Sequence, residues 1–561
     1  MQVKASLTLL VLTASTILQA QNTQSAPGAG HHHHHAEATE KLGRVSFPTS
    51  CSAQSKAPLE RGIALLHSFG YTEARMQFEA IAKSDPQCAM AHWGIAMTGY
   101  QELWGQPDAD AIKSGDEEIS KARALAASSN TTPREKAYVA ALSVFFDPAS
   151  LTFQQRADAY AAKMNELHAR FPDDVEAAAF DALAIIASVS PDDTSLTHEH
   201  QALSILVPLF IAHPDHPGLA HYIIHTCDTP ALAPEGLEAA RHYAAIAPSS
   251  AHALHMPGHI FARLGLWQED IASNIASVKA SDAAEAAHQP GAAHTMHAQE
   301  FLVYAYLQVG EDEKARELSY RMRSISQHMH AMPGMDDMKD DGPFFDNELR
   351  ATYALEMHDW KTAAALAPAP ETNPFESFDT YWGQGIAAGH LLDAALAKSA
   401  LAGLDRNIEA LKTSPMASYS GHLDIKRNEL LAWQAFAEDH PGDAVDFMRK
   451  AADQQDKLGQ MEVDIPAREM LGDLLLMEHK SAEALTEYRV ALKLSPNRLN
   501  GLLGAGKAAQ QADHPDQARA WFKAAAAQTG NAAHSHRAEL LEAVKVSSTT
   551  QTASALTHPP K

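Results

Sequence analysis

Apolar residues recur along most of the chain at the three- and four-residue spacing of a helix face. Pairs of such segments follow one another closely, as at 133–146 and 153–170, and again at 175–189 and 199–212. Proline and glycine concentrate between the segments, and no stretch alternates with the period of two that a half-buried strand shows. The pattern predicts an all-α protein built from consecutive helix pairs.

Small, aromatic and proline residues repeat with a period of 34. Near the C-terminus, the set Gly472, Ala484, Tyr488 and Ala491 recurs as Gly506, Ala518, Phe522 and Ala525. The same frame fits Gly62, Ala74, Phe78 and Pro86 near the start. Small residues let two helices approach closely, and the aromatic side chain fills the gap between neighbouring pairs. The period and residue types resemble the tetratricopeptide repeat, which implies a right-handed superhelical solenoid.

The two ends of the chain differ in composition from the repeats. Lys4, the apolar run at 7–18 and Ala20 are typical of a cleaved signal peptide over residues 1–20. We expect a disordered, histidine-rich segment at 21–44, tetratricopeptide arrays at 45–360 and 361–545, and a disordered tail at 546–561. The five histidines at 31–35 fit either a purification tag or a native metal-scavenging tract. The protein is therefore predicted to be exported, either periplasmic or secreted, with no membrane span.

The chain is acidic, with 69 Asp and Glu against 44 Lys and Arg and a formal charge of -25. Nucleic acid phosphates and anionic lipids both favour a basic surface, so we expect neither as a partner. Tetratricopeptide folds are mostly binding architectures, which implies a protein or peptide partner in the concave groove.

Three cysteines fit an oxidising compartment. Cys51 lies just before the first repeat and Cys88 just after it. Since the two helices of a repeat are antiparallel, these positions meet at one end, and we expect a disulfide between them. Cys227 is left unpaired.

The most unusual feature is two pairs of histidines, His221 with His225 and His255 with His259. The members of each pair are four residues apart and so share one helix face. The two pairs are separated by 34 residues, which is one repeat length. The tetratricopeptide resemblance implies that positions 2, 5, 9 and 12 of the first helix line the groove. In that frame the pairs occupy positions 5 and 9 of consecutive repeats.

Further polar residues fall on the same wall in this frame. They are Asp228 at position 12, His252 and His297 at position 2, and Glu300 at position 5 of their repeats. His67 and His358 fall outside the wall. The spacing predicts a ladder of imidazoles and carboxylates along the concave surface.

Neutral imidazole is the commonest protein ligand for zinc and also suits copper. We expect the two histidine pairs to bind one zinc or copper ion jointly, because neighbouring helices pack about 8–10 Å apart. His252, His297, Asp228 and Glu300 would complete or orient this shell. Two alternatives stay open: a metal-free adaptor whose histidines contact a peptide, and a metal-dependent hydrolase with Glu300 or Asp228 as the base.

Four passages carry a more specific resemblance. They are Phe-Pro-Thr-Ser-Cys at 47–51, Ala-Leu-Leu-His-Ser-Phe at 64–69, Asp-Pro-Gln-Cys-Ala-Met-Ala-His-Trp-Gly at 85–94 and His-Met-Pro-Gly-His-Ile-Phe at 255–261. They resemble a group of exported bacterial tetratricopeptide proteins of unsettled activity. The resemblance implies fold and export, and it implies no catalytic residues.

A second candidate for metal chemistry lies at 328–338. Met329, Met332, Met335 and Met338 recur every three residues beside His328 and His330. Thioethers select Cu(I), although methionine also fills irregular packing gaps.

Overall fold

The computed structural model describes residues 40–548 except 104–105, 148, 150, 191–192, 288–294, 331–340, 370–371, 375, 413–419 and 462, and the side chains at 326–330, 341 and 420. Over these residues every regular element is a helix, and consecutive helices contact one another. The expected all-α solenoid is confirmed. None of the helices described combines the length and apolarity that a bilayer crossing requires.

After a short 3-10 helix at Ala53–Ser55, the α-helices are α1 Lys56–His67, α2 Tyr71–Ser84, α3 Ala89–Met97, α4 Ala109–Ala126, α5 Pro133–Phe145, α6 Phe153–Arg170, α7 Val175–Ala187, α8 Thr197–Ala212, α9 Pro217–Thr226, α10 Ala233–Ile246, α11 Ala251–His255, α12 Pro257–Arg263, α13 Trp267–Ala286, α14 Thr295–Gln308, α15 Asp312–His330, α16 Asp341–Glu356, α17 Trp360–Ala364, α18 Phe378–Leu391, α19 Ala394–Leu411, α20 Ser420–Ala437, α21 Pro441–Leu458, α22 Ala467–Met477, α23 Ser481–Leu494, α24 Leu499–Gln511, α25 Pro515–Gln528 and α26 Ala538–Ser548.

An aromatic side chain packed between glycines sets the spacing of the helices. A Cβ added at Gly62 in α1 would lie 2.7 Å from the Phe78 ring, and one at Gly94 in α3 would lie 2.5 Å from it. Tyr488 of α23 holds the equivalent place beside Gly472, where the distance would be 2.8 Å. Each ring thus contacts its own repeat and the next at a distance that only glycine permits, as the repeat pattern predicts.

Residues 41–44 and 546–548, which lie just outside the expected arrays, take part in the fold. The backbone N–H of Arg44 donates to the carbonyl of Asp215 at 2.8 Å, and the N–H of Ser249 donates to the carbonyl of Lys41 at 3.2 Å. Leu42 is 6% exposed. These contacts correct the expectation of disorder at 41–44, and α26 likewise extends three residues into the expected tail. The predicted signal peptide and the histidine run at 31–35 lie outside the described residues.

The later repeats pack back onto the middle of the chain. Trp267 Nε1 donates to the carbonyl of Asn497 at 2.8 Å, and the N–H of Leu499 donates to Gln308 Oε1 at 2.8 Å. Arg263 donates to the carbonyl of Gln460. Units separated by about 200 residues are therefore in contact, which departs from a simple solenoid whose units touch only their neighbours.

A buried arginine lies at the centre of this contact. Arg498 is 1% exposed; it donates to Glu469 at 2.7 and 3.0 Å and pairs with Glu356 at 2.8 Å. It also donates to the hydroxyl of Tyr304, which in turn donates to the carbonyl of Asp464 at 2.8 Å. The network joins α14, α16, α22 and the start of α24.

The expected disulfide joins Cys51 to Cys88, whose Cα atoms lie 4.7 Å apart. Among the described cysteines, Cys227 is the free one, and it is buried. Burial, together with Glu235 and Asp228, raises the pKa of the Cys227 thiol to about 12.

We predict that thiol titration finds no reactive cysteine in the native protein and one after denaturation without reductant, because Cys227 is buried. Replacing Cys51 and Cys88 by alanine should lower the free energy of unfolding by about 3–4 kcal/mol, since the bond closes a loop of 37 residues. Three titratable thiols in denaturant would contradict the pairing.

We predict that Arg498→Met destabilises the protein by about 3–5 kcal/mol in urea unfolding, because it leaves two carboxylates buried without their cation. The matched control is Arg489→Met on the exposed face of α23, which should change stability by less than about 0.5 kcal/mol. Equal effects of the two substitutions would show that the contact between distant repeats contributes little.

Candidate metal centre

Four helices bring six histidines together on one wall. Helix α9 presents His221 and His225 on one face, and α11 presents His252 and His255. Helices α11 and α12 are separated by Met256, whose φ and ψ stay helical, because Pro257 lacks the N–H that would continue the hydrogen-bond pattern. The sixth imidazole is that of His297 near the start of α14.

The histidines form two groups of three, whose ligand atoms lie within 4.8 Å of one another in each group. We call His221, His225 and His252 the inner triad, and His255, His259 and His297 the outer triad. This grouping differs from the expected joint set of the two i, i+4 pairs. Each pair takes its third member from the next repeat, because position 2 of that repeat faces the pair more closely than positions 5 and 9 do.

Hydrogen bonds fix the tautomers of two outer histidines. His255 Nδ1 lies 2.6 Å from Asn274 Oδ1, and His259 Nδ1 lies 2.8 Å from Asp228 Oδ2. Both oxygens accept, so in the neutral rings each Nδ1 bears the proton and each Nε2 presents a lone pair. The two Nε2 atoms face one another at 3.0 Å. Two neutral rings in this arrangement repel, and a cation shared between the two nitrogens, a proton or a metal ion, removes the repulsion.

The two carboxylates predicted on this wall, Asp228 and Glu300, orient the imidazoles of His259 and His297. Asp228 accepts from Arg263 Nε at 2.9 Å through its second oxygen. Glu300 accepts from His297 Nδ1 at 2.7 Å, which directs His297 Nε2 away from α14. Both carboxylates are thus engaged with histidines, as outer partners of metal ligands commonly are. Neither is placed as an independent base.

The inner triad is supported from the end of α1. His221 Nδ1 donates to the carbonyl of His67 at 2.6 Å, a helix-terminal oxygen that has no partner within its own helix. His221 Nε2 then faces His252 Nε2 at 3.1 Å. The backbone carbonyl of His67 thus meets the wall because α1 packs on α9, whereas its imidazole lies outside both triads and contacts Tyr222 and Glu176.

Each triad has one phenylalanine among its rings. The ring centroid of Phe69 lies 4.4, 5.3 and 5.6 Å from those of His221, His225 and His252. The centroid of Phe301 lies 4.9, 4.8 and 5.3 Å from those of His255, His259 and His297. An apolar shell of this kind limits water at a metal site and strengthens its electrostatics.

The sequence analysis did not identify Asn274 as a partner of His255, although the repeat spacing marks its position. Each aromatic residue of the repeat follows its glycine by 16 positions, as in Gly62 with Phe78. Gly258 is followed at the same spacing by Asn274. A Cβ at Gly258 would lie 2.8 Å from Asn274 Nδ2, so the amide occupies the place of the aromatic ring. Its nitrogen donates to Asp270 at 2.6 Å, which turns its oxygen toward His255.

A neighbouring cluster of His67, Glu176 and His216 is hydrogen-bonded in a different way. The N–H of Leu219 donates to His216 Nδ1, so His216 Nε2 bears the proton and donates to Glu176 at 3.3 Å. His67 Nε2 lies 2.7 Å from the other oxygen of Glu176. The nitrogens that face the carboxylate are donors, so this buried cluster is a hydrogen-bonded core and not a ligand set.

The charge of Glu176 is favoured by its partners. Burial by itself raises the pKa of this carboxyl, but the imidazoles of His216 and His67 outweigh burial and hold the pKa well below its ordinary value of 4.5. The ionised Glu176 carboxylate therefore stabilises the folded protein above pH 4.5, and this stabilisation is lost as the pH falls toward the lowered pKa of Glu176.

The methionine repeat at 328–338 was the second candidate for metal chemistry. Residues 331–340 of the methionine repeat lie outside the described residues, so copper binding there stays a prediction.

No family model matches the chain, and no curated protein matches it. Among solved structures, a human IFIT1 dimer with m7Gppp-AAAA aligns at 12% identity and a TM-score of 0.35, covering 78% of this chain and 89% of that one. A human IFIT1 dimer with PPP-AAAA aligns at 11% identity and a TM-score of 0.36, covering 78% and 90%. Similarity at this level has no bearing on the function of this chain.

We predict that Glu176→Gln lowers the free energy of unfolding at pH 7 by about 1.5–3 kcal/mol, because it removes a buried carboxylate that accepts hydrogen bonds from two imidazoles. The difference from the unchanged protein should shrink when urea unfolding is repeated at pH 3, where the carboxylate stabilisation is weakening. Glu166→Gln, on the exposed face of α6, is the control and should have little effect at either pH. An unchanged difference between pH 7 and pH 3 would contradict the assigned charge.

Proposed function

We propose that this protein is an exported helical-repeat scaffold that binds zinc or copper through its histidine wall. The observation that carries the proposal is the facing pair of Nε2 atoms on His255 and His259, whose protons are held on the opposite nitrogens by Asn274 and Asp228. Neutral nitrogen ligands with carboxylate or amide partners behind them are typical of zinc and copper sites.

Export is supported by the Cys51–Cys88 disulfide, since such bonds persist in oxidising compartments. The net charge of -25 supports a partner other than nucleic acid. Tyr304 lies one helical turn after Glu300 on α14, and its hydroxyl is bonded to Asp464 and Arg498. A peptide lying along the wall would compete with these contacts of the chain itself. Metal binding is therefore favoured over the adaptor alternative at this position.

Binding is also favoured over hydrolysis. A metal-dependent hydrolase needs a base that can take a proton from bound water. The two candidates, Asp228 and Glu300, are hydrogen-bonded to His259 and His297 and orient those ligands.

We predict that the protein, with the histidines at 31–35 replaced by serine, is purified with zinc or copper in elemental analysis. Asp228→Asn should lower metal affinity about 10- to 100-fold, because a neutral amide holds the proton on His259 Nδ1 less strongly than a carboxylate does. His259→Ala should lower affinity further. Acidification through about pH 6.5 should release the metal, since only neutral imidazole binds it.

The control is His242→Ala, a histidine exposed on α10 that should leave affinity unchanged. If the serine-substituted protein holds no metal and His259→Ala binds added zinc and copper as the unchanged protein does, the metal proposal fails. A metal-free scaffold for a peptide partner would then be the better interpretation.

A further inference from the structure

The two triads occupy the same repeat positions in consecutive units. Each consists of positions 5 and 9 of one repeat and position 2 of the next: His221, His225 and His252 in the inner triad, and His255, His259 and His297 in the outer triad. In a solenoid, equivalent positions are related by one step of the repeat. Three histidines at these positions of one repeat are therefore matched by three histidines at the same positions of the next repeat.

We propose that the wall is a two-ion centre, in which each triad holds one transition-metal ion and the ion of the outer triad also accepts an exogenous ligand. This inference rests on the proposed metal-binding function and specifies its stoichiometry and its ligand chemistry. The exogenous ligand would be a water molecule or a small anion.

The distances within each triad and the number of imidazoles favour two ions. Zinc binds imidazole nitrogen at about 2.0–2.1 Å, so two nitrogens on one tetrahedral ion lie about 3.4 Å apart. The Nε2 separations of 3.1 Å in the inner triad and 3.0 Å in the outer triad are close to this value. The ligand atoms of each triad lie within 4.8 Å of one another. One tetrahedral ion takes four ligands and cannot bind all six imidazoles, and three neutral ligands leave a fourth position in each set.

The environments of the two triads differ. In the inner triad, His221 and His252 are buried and His225 is partly buried, and Phe69 packs against all three rings. In the outer triad, the side chain of His297 is 45% exposed. A fourth ligand can thus reach the outer ion from solvent beside His297.

The carboxylates also favour the outer triad for a divalent ion. Asp228 supports His259 and Glu300 supports His297 by charge-assisted hydrogen bonds, which raise the basicity of the ligating nitrogens. The inner triad is supported through His221 by a neutral backbone carbonyl. The outer site should therefore fill first when metal is limiting.

The test uses Co²⁺ as a spectroscopic probe, titrated into metal-free protein in which the histidines at 31–35 are serine. We expect two Co²⁺ per chain for the unchanged protein and for His242→Ala, and one for each of His225→Ala and His297→Ala. These two are the least buried members of their triads, and circular dichroism checks that the variants fold. Azide should alter the visible Co²⁺ spectrum of the unchanged protein and of His225→Ala, but not that of His297→Ala.

One Co²⁺ per chain in the unchanged protein would overturn the two-ion centre while leaving the proposed metal binding intact. Loss of both ions in a folded single variant would also overturn it, because the triads would then act as one site. An azide response that persists in His297→Ala would overturn the open outer position. No Co²⁺ binding at all would refute the proposed function itself.

Discussion

The structure depends on the close contact, at Gly62, Gly258, Gly472 and Gly506, between the glycine and the side chain that follows it by 16 residues in the second helix of the repeat. Phe78, Tyr488 and Phe522 make this contact through an aromatic ring, and the contact sets the distance between consecutive helices. When the distance between consecutive helices stays the same, residues that are one repeat length apart lie in a row along the histidine wall. The histidine ladder follows from this regularity. At Gly258 the same place is taken by Asn274, so the packing position of the repeat becomes a support for His255.

Contact between distant repeats links the stability of the C-terminal array to the geometry of the candidate site. Arg498 binds Tyr304 on α14, seven residues after His297, and Arg263 at the end of α12 reaches Gln460. The same Arg263 holds Asp228, the partner of His259. Two outer ligands are therefore restrained by residues from repeats more than 150 positions later. A wall held in this way suits rigid ligand geometry better than it suits an adaptable peptide groove.

The protonation pattern distinguishes the histidine wall from the other buried histidines. At His67 and His216, the ring nitrogens facing Glu176 are donors, and the cluster is satisfied by its own hydrogen bonds. At His255 and His259, the acceptors Asn274 and Asp228 lie beside Nδ1 of each ring, and the two Nε2 atoms face one another. Clusters of similar composition and burial thus differ in which ring nitrogens face a carboxylate or amide oxygen.

The sequence by itself determined the all-α repeat, the Cys51–Cys88 pairing and the histidines that share a wall, because each of these follows from a short period or from the two ends of one repeat. It did not determine how the six histidines divide, since the third member of each triad comes from a neighbouring helix, α11 for the inner triad and α14 for the outer triad. The carbonyl of His67 and the contacts of Arg498 were also decided by tertiary structure alone. These contacts join residues about 150 to 200 positions apart, and no local periodicity encodes which distant backbone group will meet a given side chain.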